Sequence, residues 1–207
     1  MTLRTLQVGM EWFSELPGGL NRVYANLLAE LSAQGVESLG LVAGSADVER
    51  ASGGLARSFA PIAAPLLTRL RALRHEARPW LRDHGNDAPV VSHFALYALP
   101  LLDLIGHRPL VVHFQGPWGE ESRLEGGSHV AAFAKEQIER RVYRRATAAI
   151  VLSNAFADIL ASRFVVRRER IHVIPGGVDA ARFATSRTRA RHRPSPPPGQ
   201  AIPRPGR

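Results

Sequence analysis

Apolar residues fall along this chain in two patterns, short unbroken runs and longer stretches in which they recur every three or four positions. The first pattern predicts buried strands and the second amphipathic helices. Strands are predicted at Thr5–Gly9, Glu37–Ala43, Pro89–Ser92, Leu110–Phe114, Ala148–Leu152 and Ile171–Ile174. Gly18-Gly19 opens a helix through about Ala33, with Val23, Leu27, Leu28 and Leu31 on one face and Gly35 as its stop. Pro61–Asp83 reads as a basic amphipathic helix interrupted at Pro79, and Ala95–Ile105 as a short helix. His129–Arg145 and Ala155–Phe164 read as two more, the last N-capped by Ser153 or Asn154. The small and polar stretches 44–60 and 115–127 read as loops. Strands alternating with helices predict an α/β fold, a single Rossmann-like domain whose parallel sheet is flanked by helices.

That alternation stops at Phe183. Residues 184–207 contain six Arg, six Pro and no acid, without apolar periodicity, and are expected to be a disordered tail. The tail distorts the charge balance. It holds six of the 27 Lys and Arg residues and none of the 18 Asp and Glu. The body, 1–183, therefore carries 21 basic against 18 acidic residues, which is no nucleic-acid footprint. The chain has no Cys, which excludes disulfides and thiolate chemistry. No signal peptide and no apolar run of membrane-spanning length is evident. The expectation is a soluble cytoplasmic protein. The basic segment 61–83 allows a peripheral contact with the inner membrane face.

Four places could carry chemistry. Gly18-Gly19, at the start of a helix, leaves backbone N–H groups open to an anion; no G-x-G-x-x-G follows the first strand, so a dinucleotide is not expected. His93 follows a predicted strand, where ligands gather in open α/β sheets. His113-Phe114-Gln115-Gly116-Pro117-Trp118 runs from a strand into a loop, with His113 and Gln115 two apart and hence on one face while the strand lasts. Glu120, Glu121 and Glu125 follow in that loop. Pro175-Gly176-Gly177-Val178-Asp179 is the fourth. Each also has a plainer structural reading: a glycine turn, a core histidine, a solvated acidic loop, a helix cap at Asp179. No metal-ligand spacing occurs, and no metal cofactor is expected.

The order of these segments resembles glycosyltransferase family 4. Gly18, Gly19 and Arg22 are similar to that family's GG-x-x-R loop. VVSHFALYALPLL resembles its strand-His-helix unit, and PLVVHFQGPW its strand ending in His-Gly. AAIVLSNAFADIL and IHVIPGGVDAARF resemble the segments that close its N-terminal domain. The resemblance implies the N-terminal, acceptor-side half of a GT-B fold of two facing Rossmann-like domains. It implies retaining transfer of a hexose from a nucleoside diphosphate sugar to an acceptor glycan or lipid-linked acceptor. Gly18, Gly19 and Arg22 would face the donor diphosphate. Gln115 stands where the family has His before Gly, and with His113 it forms the catalytic pair of candidates. His93, Gly116 and Trp118 would line the acceptor cleft. Gly176 stands where the family usually has Asn.

The family's E-x₇-E motif, which holds the donor sugar, has no candidate after Phe183, where no Glu occurs. The resemblance therefore implies a chain without the donor-binding C-terminal domain, a truncated half expected to be inactive alone. The competing reading is a non-catalytic acceptor- or phosphosugar-binding module that pairs with a separate donor-domain chain. A third gives the Arg-rich tail salt-dependent, unspecific contacts with nucleic acid or an anionic membrane; its Pro content and lack of aromatics argue against a folded reader, and nucleic acid is not the expected partner.

Overall fold

A computed structural model describes residues 3–177. The chain divides into two compact units, Met1–Pro175 and Gly176–Arg207. Only Gly176 and Gly177 of the second unit are described. Asp179, the boundary at Phe183 and the tail 184–207 lie outside the described residues.

The first unit is an all-parallel sheet of seven strands with helices against it. Strand β1 (Arg4–Glu11) leads to helix α1 (Gly19–Ala33), β2 (Glu37–Ala43), a one-turn helix α2 (Val48–Ala51) and β3 (Ala56–Ala60). Helix α3 (Leu66–Asp83) crosses to β4 (Val90–Ser92). Two short helices, α4 (Ala95–Ala98) and α5 (Leu102–Ile105), precede β5 (Leu110–Phe114). Helices α6 (Trp118–Leu124) and α7 (His129–Arg145) precede β6 (Ala148–Val151), and α8 (Asn154–Arg163) precedes β7 (Ile171–Val173). The strand order is β3-β2-β1-β4-β5-β6-β7, so the chain runs outward from β1 to β3 and returns to the other side of β1 at β4.

The pleat of the central strands sorts their residues into two cores. Leu6, Val8, Leu41 and Ala43 join the larger one with Leu73, Leu101 and Phe164. Val42 joins the smaller one with Trp12, Tyr24 and Leu28. On β1 the residues alternating with Leu6 and Val8 are Thr5 and Gln7, polar yet almost fully buried. Helix α1 lies close to this face because glycines sit beneath it. A Cβ at Gly9 would stand 2.8 Å from the Tyr24 ring, and one at Gly40 2.7 Å from both Leu28 Cδ1 and the Tyr24 hydroxyl. The Tyr24 hydroxyl donates to the Gln7 carbonyl over 2.9 Å.

Several elements differ from the sequence expectation. The buried line of α1 is Asn21, Tyr24 and Leu28, while Val23, Leu27 and Leu31 are half-buried; the glycine floor seats the Tyr24 ring and rolls the helix toward it. The stretch 44–60 is not a loop. It contains α2 and the edge strand β3, whose Ala56, Phe59 and Ala60 are buried while Arg57 faces out to Glu49. An edge strand needs only one apolar face, and this one is too short to stand out. Helix α3 starts at Leu66 rather than Pro61 and continues through Pro79, which is exposed, so the carbonyl that loses its donor lies on the solvent side. The segment 95–105 is broken by a 3₁₀ turn at Leu99–Leu101 containing Pro100. Ser153 does cap α8, accepting from the Phe156 N–H over 3.3 Å.

Candidate functional site

In a parallel sheet whose strand order reverses at β1, a crevice opens where the flanking connections diverge, outside the carboxyl ends of β1 and β4. Here it is a cleft of about 360 Å³. Met10 from β1 and Leu20 from α1 form one wall. His93 and Phe94, which follow β4, form its base. His113 at the end of β5, with Gln115, Gly116 and Trp118, forms the opposite wall, and Glu121 of α6 closes it.

The glycine loop borders this cleft through Leu20. Gly18 and Gly19 themselves are exposed. Gly18 is the N-cap of α1, in extended conformation and with no side chain to cap the helix. The N–H groups of Gly19, Leu20 and Asn21 find no acceptor among the described residues. A Cβ added at Gly19 would meet nothing within 4 Å. The loop is held from behind by Asn21. Its side chain accepts from the Glu11 N–H (3.2 Å) and donates to the Glu11 carboxylate (3.3 Å) and the Leu16 carbonyl (3.0 Å). Burial raises the Glu11 pKa, partly offset by the Asn21 hydrogen bond and the charge of Arg69. Arg22 is exposed, and its guanidinium lies 5.0 Å over the Phe13 ring, away from the cleft lining.

His93 is 3 % exposed, and its N–H extends the sheet ladder to the Val8 carbonyl. Its ring packs edge-on between Tyr24 (5.0 Å) and His113 (5.1 Å). His93 Nε2 lies 3.0 Å from Gln7 Oε1, and Gln7 Nε2 donates to Thr5 Oγ1 over 3.0 Å. Burial, with a smaller contribution from His113, lowers the His93 pKa to about 3. Burial likewise lowers that of His113. Gln115 Nε2 stands 3.3 Å from His113 Nδ1, so the two candidates two residues apart do meet. Both histidines are therefore neutral at physiological pH, suited to hydrogen bonding rather than to holding charge.

The stretch 115–127, read from sequence as a loop, contains α6. Its cap is tertiary. Glu139 of α7, fully buried, accepts the N–H of Trp118 and of Gly119, each over 3.0 Å, and the Tyr143 hydroxyl over 3.2 Å. Burial raises its pKa, against these hydrogen bonds. Trp118 is held between the Phe94 ring (5.0 Å) and the Lys135 ammonium (4.7 Å). Gly116 has φ 154°, and a Cβ there would meet Glu121 Oε1. Glu120 is turned away to pair with Arg163, and Glu125 is exposed. Sequence reasoning missed Gln7, Asn21 and Glu139. The signals were polar residues at alternate positions of an apolar strand, and a Glu–Tyr pair at i, i+4. Among the described residues no group of three His, Asp or Glu is arranged for a metal ion.

Residues 17–182 match the family described as Glycosyltransferase Family 4. The chain belongs to glycosyltransferase family 4. No curated protein matches it. Among solved structures, this family 4 domain is similar to Anabaena HepE in complex with UDP and glucose, with TM-score 0.59 and 16% identity over 86% of this chain and 46% of that one. It is similar to the lipopolysaccharide outer core galactosyltransferase WaaB in its apo form (TM-score 0.54, 15% identity, 86% of this chain and 46% of that). A glycosyltransferase from Rickettsia africae matches at TM-score 0.53 and 14% identity, over 88% and 45%. At these identities the likeness is one of fold, the Rossmann-like N-terminal half of a GT-B glycosyltransferase. The chain spans under half the length of these structures. Among the described residues no helix is long and apolar enough to cross a membrane.

Proposed function

We propose that this family 4 domain forms the acceptor-side wall of a retaining glycosyltransferase that moves a hexose from a nucleoside diphosphate sugar to an acceptor hydroxyl. The observation that carries the reading is the junction at Leu20. It lines the same cleft as His93, His113 and Gln115, and its own N–H belongs to the uncapped first turn of α1. In such a transfer the bond from the sugar's anomeric carbon to the diphosphate oxygen breaks, and a bond to the acceptor oxygen forms on the same face. The departing diphosphate gains negative charge, and preorganised N–H dipoles at a helix N-terminus favour that charge. The acceptor proton leaves with the phosphate oxygen. The facing, donor-binding surface belongs to a second domain in proteins of this architecture, so the 207-residue polypeptide alone is proposed to be inactive.

The test uses amide NMR of the 207-residue chain. Titration with UDP should shift the Gly18, Gly19 and Leu20 amides, and inorganic pyrophosphate should shift the same three. Gly19→Val should abolish the response while leaving the melting temperature unchanged, because the added side chain enters open space. A UDP response confined to other residues, or an unaltered response in Gly19→Val, refutes the diphosphate assignment.

A further inference from the structure

Among the described residues one charged side chain lines the cleft, and it is negative. Three glutamates follow Pro117, and the fold sends them to different places. Glu120 pairs with Arg163, Glu125 is exposed just past the end of α6, and Glu121 faces the cleft. The Glu121 carboxylate lies against Gly116, where an added Cβ would meet Oε1. The bare Cα of Gly116 is therefore what admits the carboxylate to the cleft edge. The cations around α6 are engaged elsewhere. Arg163 also reaches Glu136 (3.2 Å), as does Arg140 (3.1 Å), and Lys135 donates to Ser122 Oγ over 2.6 Å. Arg123 stands two positions along the helix, off the face of Glu121. Glu121 is exposed and has no hydrogen-bond or ion-pair partner among the described residues, so its oxygens are open to a ligand.

A carboxylate carries acceptor atoms alone, so whatever binds it must donate. A hydroxyl donates. A phosphate or a second carboxylate is repelled, and no cation in the lining offsets the repulsion. The other lining groups are uncharged, both histidines being held neutral by burial. The Phe94 and Trp118 rings beside Glu121 offer apolar surface to the C–H groups of a sugar, and one fixed polar group among such rings orients a ligand. Resting on the glycosyltransferase reading of the cleft, we infer that Glu121 is a specificity-determining residue, whose carboxylate accepts hydrogen bonds from acceptor hydroxyls and restricts the acceptor to an uncharged sugar unit rather than a phosphorylated or acidic one. The cleft is thereby polarised. The uncapped first turn of α1 favours the anionic diphosphate, and Glu121, across the cleft from Leu20, disfavours it.

NMR titration of the 207-residue chain tests this with three probes that share a ring and differ in charge: D-glucose, D-glucosamine and D-glucose 6-phosphate. Glucose should give saturable shifts at the Gln115 and Gly116 amides and the Trp118 indole N–H. Glu121→Gln keeps the size of the side chain and removes its charge. Its melting temperature should match the wild type, because the carboxylate holds no partner. At the same three groups it should weaken glucosamine about tenfold, weaken glucose less, and tighten glucose 6-phosphate. A residue that merely shaped the cleft would move all three probes in one direction. Silence toward glucose overturns the inference, and so does a Glu121→Gln chain in which the probes keep their wild-type affinities or shift together. The UDP response at Gly18–Leu20 is read in the same Glu121→Gln sample. Present beside unchanged probe affinities, it overturns this inference and leaves the diphosphate reading standing.

Discussion

His93 is a residue whose surroundings have taken away its charge. Its folded pKa of about 3 lies below the ordinary 6.5 because burial disfavours the imidazolium. The sign of the linkage follows. Between these values the unfolded chain binds a proton that the folded chain refuses, so stability is full above about pH 6.5 and falls as pH drops toward 3. The limiting slope is about 1.4 kcal/mol per pH unit. Urea melts at stepped pH should show this loss, and a Gln7→Leu/His93→Phe double variant should lack most of it. Gly116 makes a second case. With φ 154° and Glu121 against it, Gly116→Ala should cost about 1–3 kcal/mol in denaturant melts, the price of backbone strain, and displace Glu121 from the cleft edge. That His93, His113 and Gln115 stand at or just beyond strand ends was legible, and the structure brings the three to one cleft. That Gln7 meets His93 was not legible, because the two are 86 positions apart and meet only across the β1–β4 ladder.

At the scale of elements, α1 and α6 place the two walls of the cleft, and each is held by something outside its own sequence. Helix α1 sits where the glycines of β1 and β2 admit Tyr24. Gly40→Ala would press a methyl group into Leu28 and Tyr24, and overpacking of this kind costs typically 1–3 kcal/mol. Chemical denaturation should show that loss, and UDP shifts at Gly18–Leu20 should weaken with it as the helix start moves. Helix α6 depends on Glu139. Glu139→Ala leaves two backbone N–H groups and the Tyr143 hydroxyl buried without an acceptor, with an expected loss of about 3 kcal/mol or more in the same assay and greater solvent exposure of Trp118. Six of the seven strands and the long helices were readable from period alone. The edge strand β3 and helix α6 were not: one is short and half-polar, and the other takes its N-terminal cap from a residue 20 positions later.

Over the whole molecule, the strand order puts β1 between β2 and β4, and this reversal gathers residues from the start and the middle of the chain into one cleft. The chain covers less than half of the GT-B structures it resembles. Assays of the 207-residue polypeptide with nucleoside diphosphate sugars should therefore detect no transfer, and supplying a donor-binding domain carrying E-x₇-E should restore it. Transfer by the polypeptide alone would overturn the proposed division of labour. In the restored enzyme Gly19→Val should remove most activity, and Arg22→Ala should have the smaller effect, because Arg22 lies over Phe13 rather than along the cleft.

The periodicity of apolar residues determined the fold class by itself, because burial of a strand or a helix face is a local demand that each segment meets with its own side chains. The order of the glycine loop, the His-bearing strand ends and the Ser-capped helix likewise determined the family. The tertiary structure alone decided which polar groups are paired and which are left open. Gln7 reaches His93, Glu139 reaches Trp118, and Asn21 ties down Glu11 and Leu16, while the first amides of α1 find no acceptor among the described residues. Hydrogen bonds need atoms within about 3 Å. Only the completed packing brings residues so distant in sequence to that separation, and so only the structure shows which of these polar side chains meet.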